Sequence, residues 1–337
     1  MKTFEIKQTF GLDSLVAGER SIPVPGSHEV LIRLDAVSLN YRDLSVIKGI
    51  FNPDQSLPLI PVSDGVGKVM ELGEQVSRVK KGDRVSANYA QKWISGTPNS
   101  EQLYSTIGSP TDGLLAEYAI VHEDALVLIP EHLTDEEAST LPIAGVTAWH
   151  AIVAEGKVKA GDTVVIQGTG SVSLFALQFA KLHGAKVIIT SSNDEKLVET
   201  KKLGADFGIN YSTNPDWDKA VLAYTNGIGA DHVLDVGGAH TINKSISAIR
   251  IGGRVSMVGN LTGIIAPEFN ILAVMLKKPT IQGINGGSRK MFEAMNQAIA
   301  QNKLHPVIDR VFPFEQSIEA FRYQDKENQF GKIVIKF

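Results

Sequence analysis

The stretch VVIQGTGSVSLFALQFAK, residues 164–181, restricts the fold more than any other part of the chain. It opens as a short apolar, β-branched run and passes through Gly168-Thr169-Gly170. It then becomes a segment with helical spacing, SVSLFALQFAKLH, closed by Gly184. A buried strand, a glycine turn and a helix in that order make half of a βαβ unit. The same grammar continues downstream. KVIITS reads as a strand, and NDEKLVETKKL as a helix opened by Ser192, with Glu195 three residues on, and closed by Gly204. DHVLDV, TINKSISAIR and RVSMVG extend the pattern. Val-Val-Ile and Val-Ile-Ile are apolar on both faces, as strands between two helix layers require. The expectation is an α/β fold with a doubly wound parallel sheet.

In such a turn each glycine has its own job. The first makes the tight bend, the second lets backbone approach a pyrophosphate, and the third lets helix and strand pack closely. Gly168 and Gly170 keep the first two, and Ser173 takes the third place, where a small residue adds little volume. The helix N-terminus, Ser171-Val172, still turns its amides and its dipole toward phosphate. This context predicts a dinucleotide site. The tip of the second strand then chooses between dinucleotides. NAD sites usually carry an acid about 20 residues on, to hold the ribose 2′-hydroxyl. Here the strand ends in Ser191-Ser192-Asn193, with no acid before Asp194, and Lys196 lies just beyond. Hydroxyls and a lysine suit a 2′-phosphate, so NADP(H) is expected over NAD(H).

Upstream, the chain reads differently. EVLIRLDAVSL, VGKVMEL and DRVSANY are strand candidates in a β-rich first part. Residues 90–113 are polar and broken by Gly and Pro, which predicts a long loop or a short helical excursion. Thr134 and Glu137 form a capping box ahead of an apolar run to Val153. A helix over about 289–302, an amphipathic one around FEQSIEAF and the strand KIVIKF close the chain. The length of 337 residues suits about two domains. A net charge of −4 argues against nucleic-acid binding, which needs a basic face. There is no apolar run of membrane-spanning length and no leader-like start, so the expectation is a cytoplasmic protein without membrane contact. The sequence has no cysteine, and its eight histidines are scattered. That removes thiolate catalysis and thiolate-ligated zinc, and no metal is expected.

The whole chain resembles the medium-chain dehydrogenase/reductase superfamily, in its zinc-independent quinone oxidoreductase-like branch. SLNYRDL, IPVSDGVGKV, DGLLAEYAIV, LPIAGVTAWHAI, the 164–181 segment and GGRVSMVG carry the likeness. It implies a GroES-like catalytic domain from residues 1–126 and 282–337, with a Rossmann cofactor domain at 127–281 inserted. The cofactor is expected in the cleft. Zinc-dependent relatives bind catalytic metal through Cys, His and Cys. Their motifs place Asn40, Ser63 and Ile143 at those positions, a set that cannot hold zinc. Asp64 stands where an acidic neighbour is usual.

The resemblance also implies Asn40 and Asp43 at the nicotinamide end, and Thr147 behind the ring. It assigns Ser191, Ser192, Lys196 and Tyr211 to the 2′-phosphate pocket. Val258, Gly259 and Asn260 match backbone near the nicotinamide ribose, and Ile284 and Gly286 the segment holding the carboxamide. Asp43 could instead cap a helix, and Tyr211 could be an ordinary strand tyrosine.

Without a metal, an activated C=C bond is an easier hydride acceptor than a plain carbonyl, because the charge delocalises onto a conjugated oxygen. The expectation is an NADPH-dependent reductase of enones or quinones, acting on a small molecule, with Tyr41 or solvent as proton source. A metal-free alcohol or ketone oxidoreductase is an alternative. So is a non-catalytic NADPH-binding sensor or structural protein, against which the polar pair Asn40 and Asp43 argues. A homodimer is expected through the edge segment KKPTIQGING, 277–286, where Pro279 suits an edge. Residues 41–57, 88–113 and 260–287 should set specificity.

Overall fold

A computed structural model describes residues 1–326 and 328–337. The chain divides into two compact units, Met1–Val146 with Gly286–Phe337, and Thr147–Asn285.

The second unit is built on a six-stranded parallel sheet. Its spatial order is Phe207–Asn210, Lys186–Ser191, Thr163–Gln167, Ala230–Asp235, Ile249–Met257 and Thr280–Gly283. The order steps outward from the central strand Thr163–Gln167 and then reverses, so the two halves of the sheet wind in opposite directions. That reversal creates the crevice at the strand ends where ligands of this fold sit. Val164, Val165 and Ile166 have no exposed surface, and neither do Val187, Ile188 and Ile189 beside them. Such triplets are unaffordable on a one-sided sheet and natural between two helix layers. The helix Ser171–Leu182 buries Leu174, Phe175, Leu177 and Phe179. Helix Asp194–Lys202 is capped by Asn193, whose side chain accepts from the Lys196 N–H. The expected cap, Ser192, lies one residue too early, because the strand remains extended through Ser191.

In the first unit a seven-stranded sheet runs in the order Ile308–Pro313, Lys332–Lys336, Glu29–Ser38, Asp64–Leu72, Arg84–Ala87, Leu126–Leu128, with Tyr118–His122 also paired to Glu29–Ser38. The C-terminal strand Lys332–Lys336 thus lies antiparallel beside Glu29–Ser38, so both ends of the chain build one sheet. Its core includes Val30, Ile32, Leu34, Val37, Val85, Val121, Ile333 and Ile335. Residues 90–113 hold one short helix, Ser100–Leu103. The Thr134–Glu137 capping box forms, but its helix spans only Asp135–Ala138. The apolar run beyond it follows wide π-type turns, Leu141–Gly145 and His150–Ala154, around Val146–Trp149. Among the described residues no helix is long and apolar enough to cross a membrane.

Candidate active site

In the second unit the strand Thr163–Gln167 delivers Gly168 with φ of 73°, a left-handed conformation that a side chain resists. Thr169 is buried, and Gly170 precedes the helix in extended geometry. A Cβ placed on Gly170 would meet nothing within 4 Å, so its backbone is open to a ligand. Ser171 and Val172 begin the helix, whose N–H groups before Leu174 have no intrahelical acceptor. Ser173 does more than fit. Its Oγ donates to the Gln167 carbonyl at 2.7 Å and ties the first helical turn to the end of the strand. A third glycine could not make that bond. The cradle therefore fits a pyrophosphate.

At the tip of the neighbouring strand, Ser191 is buried and its Oγ accepts from the Asn193 N–H at 3.3 Å. Tyr211 donates its N–H to the Ser191 carbonyl at 3.0 Å and leaves its ring 43 % exposed. Ser192 is exposed and Lys196 sits in the first turn of the helix that Asn193 caps. Ser191 and Tyr211 are thus brought together, with Ser192 and Lys196 following Ser191 along the chain. The nearest acid, Asp194, accepts from Asn210 Nδ2 at 2.9 Å. Val258, Gly259 and Asn260 follow strand Ile249–Met257, and the Val258 N–H donates to the Asp235 carbonyl at 2.8 Å. Ile284 donates its N–H to the Met257 carbonyl at 2.9 Å. A cavity of about 290 Å³ includes Gly238, Gly259, Asn260, Phe269 and Ile281 in its wall. Thr147 is buried at the start of this unit.

In the first unit Glu29–Ser38 leads into helix Tyr41–Ile47 through a capping box. The Asn40 N–H donates to Asp43 Oδ2 at 2.8 Å, and the Asn40 side chain caps in return. Both residues face inward, at 7 % and 1 % exposed. Asn40 Oδ1 accepts from the ammonium of Lys332 at 2.8 Å. The same ammonium donates to the Leu39 carbonyl at 3.0 Å and to Asp64 Oδ2 at 3.1 Å. Burial pushes the Asp64 carboxyl up to about 6, against the pull of Lys332. Ser63 Oγ donates to Asp43 Oδ1 at 2.9 Å and accepts from Arg42 at 2.6 Å. Arg42 also reaches the Ile107 and Ser109 carbonyls and Thr106 Oγ1. Its guanidinium lies 4.5 Å from the ring centre of Phe51 and 5.0 Å from that of Tyr89. Ile143 packs beside Tyr89 and Trp93. Gly286, with φ of 62°, brings its backbone against Tyr89.

A zinc ion does not fit this donor set. The Asn40 oxygen is given to an ammonium, the Ser63 oxygen to a guanidinium, and Ile143 offers no lone pair. Two cations of the chain itself, Arg42 and Lys332, stand with the carboxylates of Asp43 and Asp64. No local motif points to either cation; the signal the sequence carries is Lys332 at the start of the apolar terminal strand KIVIKF. The Asn40–Asp43 pair also closes the start of helix Tyr41–Ile47, so its presence alone has a structural reason. Tyr41, between them in the chain, is 55 % exposed. Among the described residues no group of three or more His, Cys, Asp or Glu is arranged to hold a metal.

Comparison with known proteins matches residues 26–131 to the alcohol dehydrogenase GroES-like domain and residues 171–301 to the zinc-binding dehydrogenase family. A zinc-type alcohol dehydrogenase-like protein of Schizosaccharomyces pombe is 43 % identical, over 97 % of this chain and 96 % of the relative. An NADPH-dependent alkenal/one oxidoreductase of Arabidopsis thaliana is 30 % identical, over 99 % of this chain and 79 % of the relative. The solved structure of an NAD-dependent alcohol dehydrogenase superposes with a TM-score of 0.92 at 33 % identity, covering all of both chains.

Proposed function

The chain belongs to the medium-chain dehydrogenase/reductase superfamily, and on that premise we propose that it is a zinc-independent, NADPH-dependent reductase of activated C=C bonds in enones or quinones. One observation carries the reading: of the positions that match catalytic zinc ligands in relatives, Asn40 and Ser63 are already bonded to Lys332 and Arg42, and the third is the apolar Ile143. The cofactor, when bound, supplies the hydride. The amides around Gly170 and the start of helix Ser171–Leu182 hold its pyrophosphate. Ser191, Ser192, Lys196 and Tyr211 hold the 2′-phosphate, and the absence of a free acid at that strand tip supports NADPH over NADH. With no Lewis acid to stabilise a localised alkoxide, a substrate that spreads its charge over a conjugated oxygen is favoured. The exposed Tyr41 hydroxyl, or solvent, then protonates the product.

The test is NADPH consumption with a panel of enones, quinones, simple ketones and alcohols, beside NADPH and NADH titrations. Turnover of enones or quinones with tighter NADPH binding is expected. Turnover confined to alcohols and simple ketones would favour the metal-free alcohol oxidoreductase; tight binding with no turnover would favour a sensor or structural protein. Tyr41→Phe is expected to lower kcat about tenfold, with NADPH affinity unchanged, less than the usual effect of about a hundredfold or more for a general acid because water partly replaces it. An unchanged kcat would remove Tyr41 from the chemistry.

The protein is proposed to act as a homodimer. Strand Thr280–Gly283 is a sheet edge with all four residues exposed. Beside it, Ile271, Leu272, Met275 and Leu276 are 62–67 % exposed, a patch that a monomer would rarely leave in water. Light scattering is expected to give the mass of two chains, and Leu272→Glu combined with Met275→Glu that of one. A single-chain mass for the parent protein would overturn the proposal.

A further inference from the structure

Two polar side chains close two central strands of the parallel sheet. Gln167 ends Thr163–Gln167, and Asp235 ends Ala230–Asp235. They are 5 % and 0 % exposed. A buried carboxylate is costly unless its oxygens are fully supplied with donors. Those of Asp235 are. Oδ1 accepts from the Gly238 N–H at 2.9 Å and Thr241 Oγ1 at 2.7 Å. Oδ2 accepts from Ser245 Oγ at 2.5 Å and Gln167 Nε2 at 3.2 Å. Every one of these donors is neutral, so the charge is held by oriented dipoles.

Gln167 is the arm that connects this carboxylate to the cradle. Its Oε1 accepts from the N–H groups of Val236 at 3.2 Å and Gly237 at 3.3 Å. Its main-chain carbonyl accepts from Ser173, inside the cradle helix. On the far side, the 236–241 turn is bonded to the segment after the next strand. Thr262 donates its N–H to the Gly237 carbonyl at 2.8 Å, and Leu261 its N–H to the Val236 carbonyl at 3.3 Å. A Cβ on Gly259 would come within 2.5 Å of the Val236 carbonyl oxygen, so the two turns lie in direct backbone contact.

We infer that Asp235 is a positioning residue, which through Gln167 fixes the spacing between the phosphate cradle at Gly168–Ser173 and the turn at Val258–Asn260, so that both grip one dinucleotide. The inference rests on the cofactor reading proposed above. An asparagine at 235 has one acceptor end and one donor end. Its NH2 must face either the Gly238 N–H or the Gln167 amide, so one of the two turns loses its anchor.

The experiment compares Asp235→Asn with the parent chain in two fluorescence titrations, one with NADPH and one with adenosine 2′,5′-bisphosphate, which lacks the nicotinamide half. NADPH affinity is expected to fall ten- to a hundredfold, while the fragment binds within threefold of the parent. The kcat at saturating NADPH is expected to stay within threefold. Asp231→Asn is the control. Asp231 is the second residue of the same strand and accepts from the Thr163 N–H and Arg250, at the opposite end of the strand. It should lower the melting temperature and leave both affinities alone. Should Asp235→Asn not fold, Thr241→Val removes one bond to the carboxylate and is expected to weaken NADPH about threefold, again sparing the fragment. Equal losses for both ligands, or no loss for either, would overturn the inference alone. A parent chain that binds neither ligand would overturn the cofactor reading and the inference with it.

Discussion

Gly170→Glu is expected to weaken NADPH binding at least a hundredfold while the chain melts at the parent temperature or slightly above it. The backbone at Gly170 has φ of −76° and ψ of 178°, which any residue adopts. Its Cβ would meet nothing within 4 Å, so the fold has no objection to a side chain there. A carboxylate at the N-terminus of a 12-residue helix is itself favourable, by about 0.3–1 kcal/mol. The same carboxylate occupies the space and the potential meant for a pyrophosphate. A hundredfold loss corresponds to about 2.8 kcal/mol, which close like charges on partly desolvated groups readily supply. Gly168→Ala should behave in the opposite way. The nearest atom to its Cβ is 3.8 Å away, but φ of 73° makes the new residue costly, by about 1 kcal/mol or more of stability. A titration and a thermal melt on both variants separate the glycine that serves the ligand from the glycine that serves the turn. Parent-like NADPH affinity in Gly170→Glu would show that the cradle is only a tight βα connection.

Where the sequence was legible, a local signal sufficed. The strand, turn and helix of 163–182 lie where the change from apolar run to helical spacing puts them. The helix Arg289–Asn302 and the edge strand Thr280–Gly283 follow the same kind of signal. The missing cysteines excluded thiolate-ligated zinc in advance. What took the place of the metal could not be read, because Lys332 lies 292 positions from Asn40 and Arg42 reaches Ser109 across 67. Lys332 meets Asn40 only once the C-terminal strand joins the sheet beside Glu29–Ser38. Ser173 shows a smaller version of the same limit. Its size was readable, but its bond to the Gln167 carbonyl exists only when the strand end and the first helical turn are together. The helix cap moved from Ser192 to Asn193 because both are good caps and the length of the strand chose between them. Gln167 and Asp235 were a missed signal. A polar residue closing a run as apolar as VVI or VL needs a partner, and the chain states both.

The second large effect concerns acid stability and centres on His232. This histidine is 2 % exposed between two strands of the parallel sheet; its Nε2 meets Ser256 Oγ at 2.8 Å and its Nδ1 is buried without a partner. Burial, with Arg254 nearby, pulls the imidazole from 6.5 down to about 3. The folded chain therefore holds His232 neutral where the unfolded chain binds a proton. Its contribution to stability is fully present above pH 6.5 and is lost as pH falls toward 3. At about 1.4 kcal/mol per unit, the loss is about 2 kcal/mol at pH 5 and about 5 kcal/mol over the whole window. Asp64 acts in the opposite sense. Its carboxyl is raised from 3.8 to about 6, so protonation stabilises the fold as pH drops through 6. At pH 5 that return is about 1.4 kcal/mol, and the two effects nearly cancel in the parent chain. Only a difference between chains isolates the histidine. Urea unfolding of His232→Gln and the parent at pH 7.5 and pH 5.0 is the measurement. The variant should start less stable at pH 7.5, by about 1–2 kcal/mol for disturbed packing. Between the two pH values it should then gain about 2 kcal/mol relative to the parent, so the gap closes or reverses. Parallel pH dependence in the two chains would show that His232 already takes up its proton in the folded state.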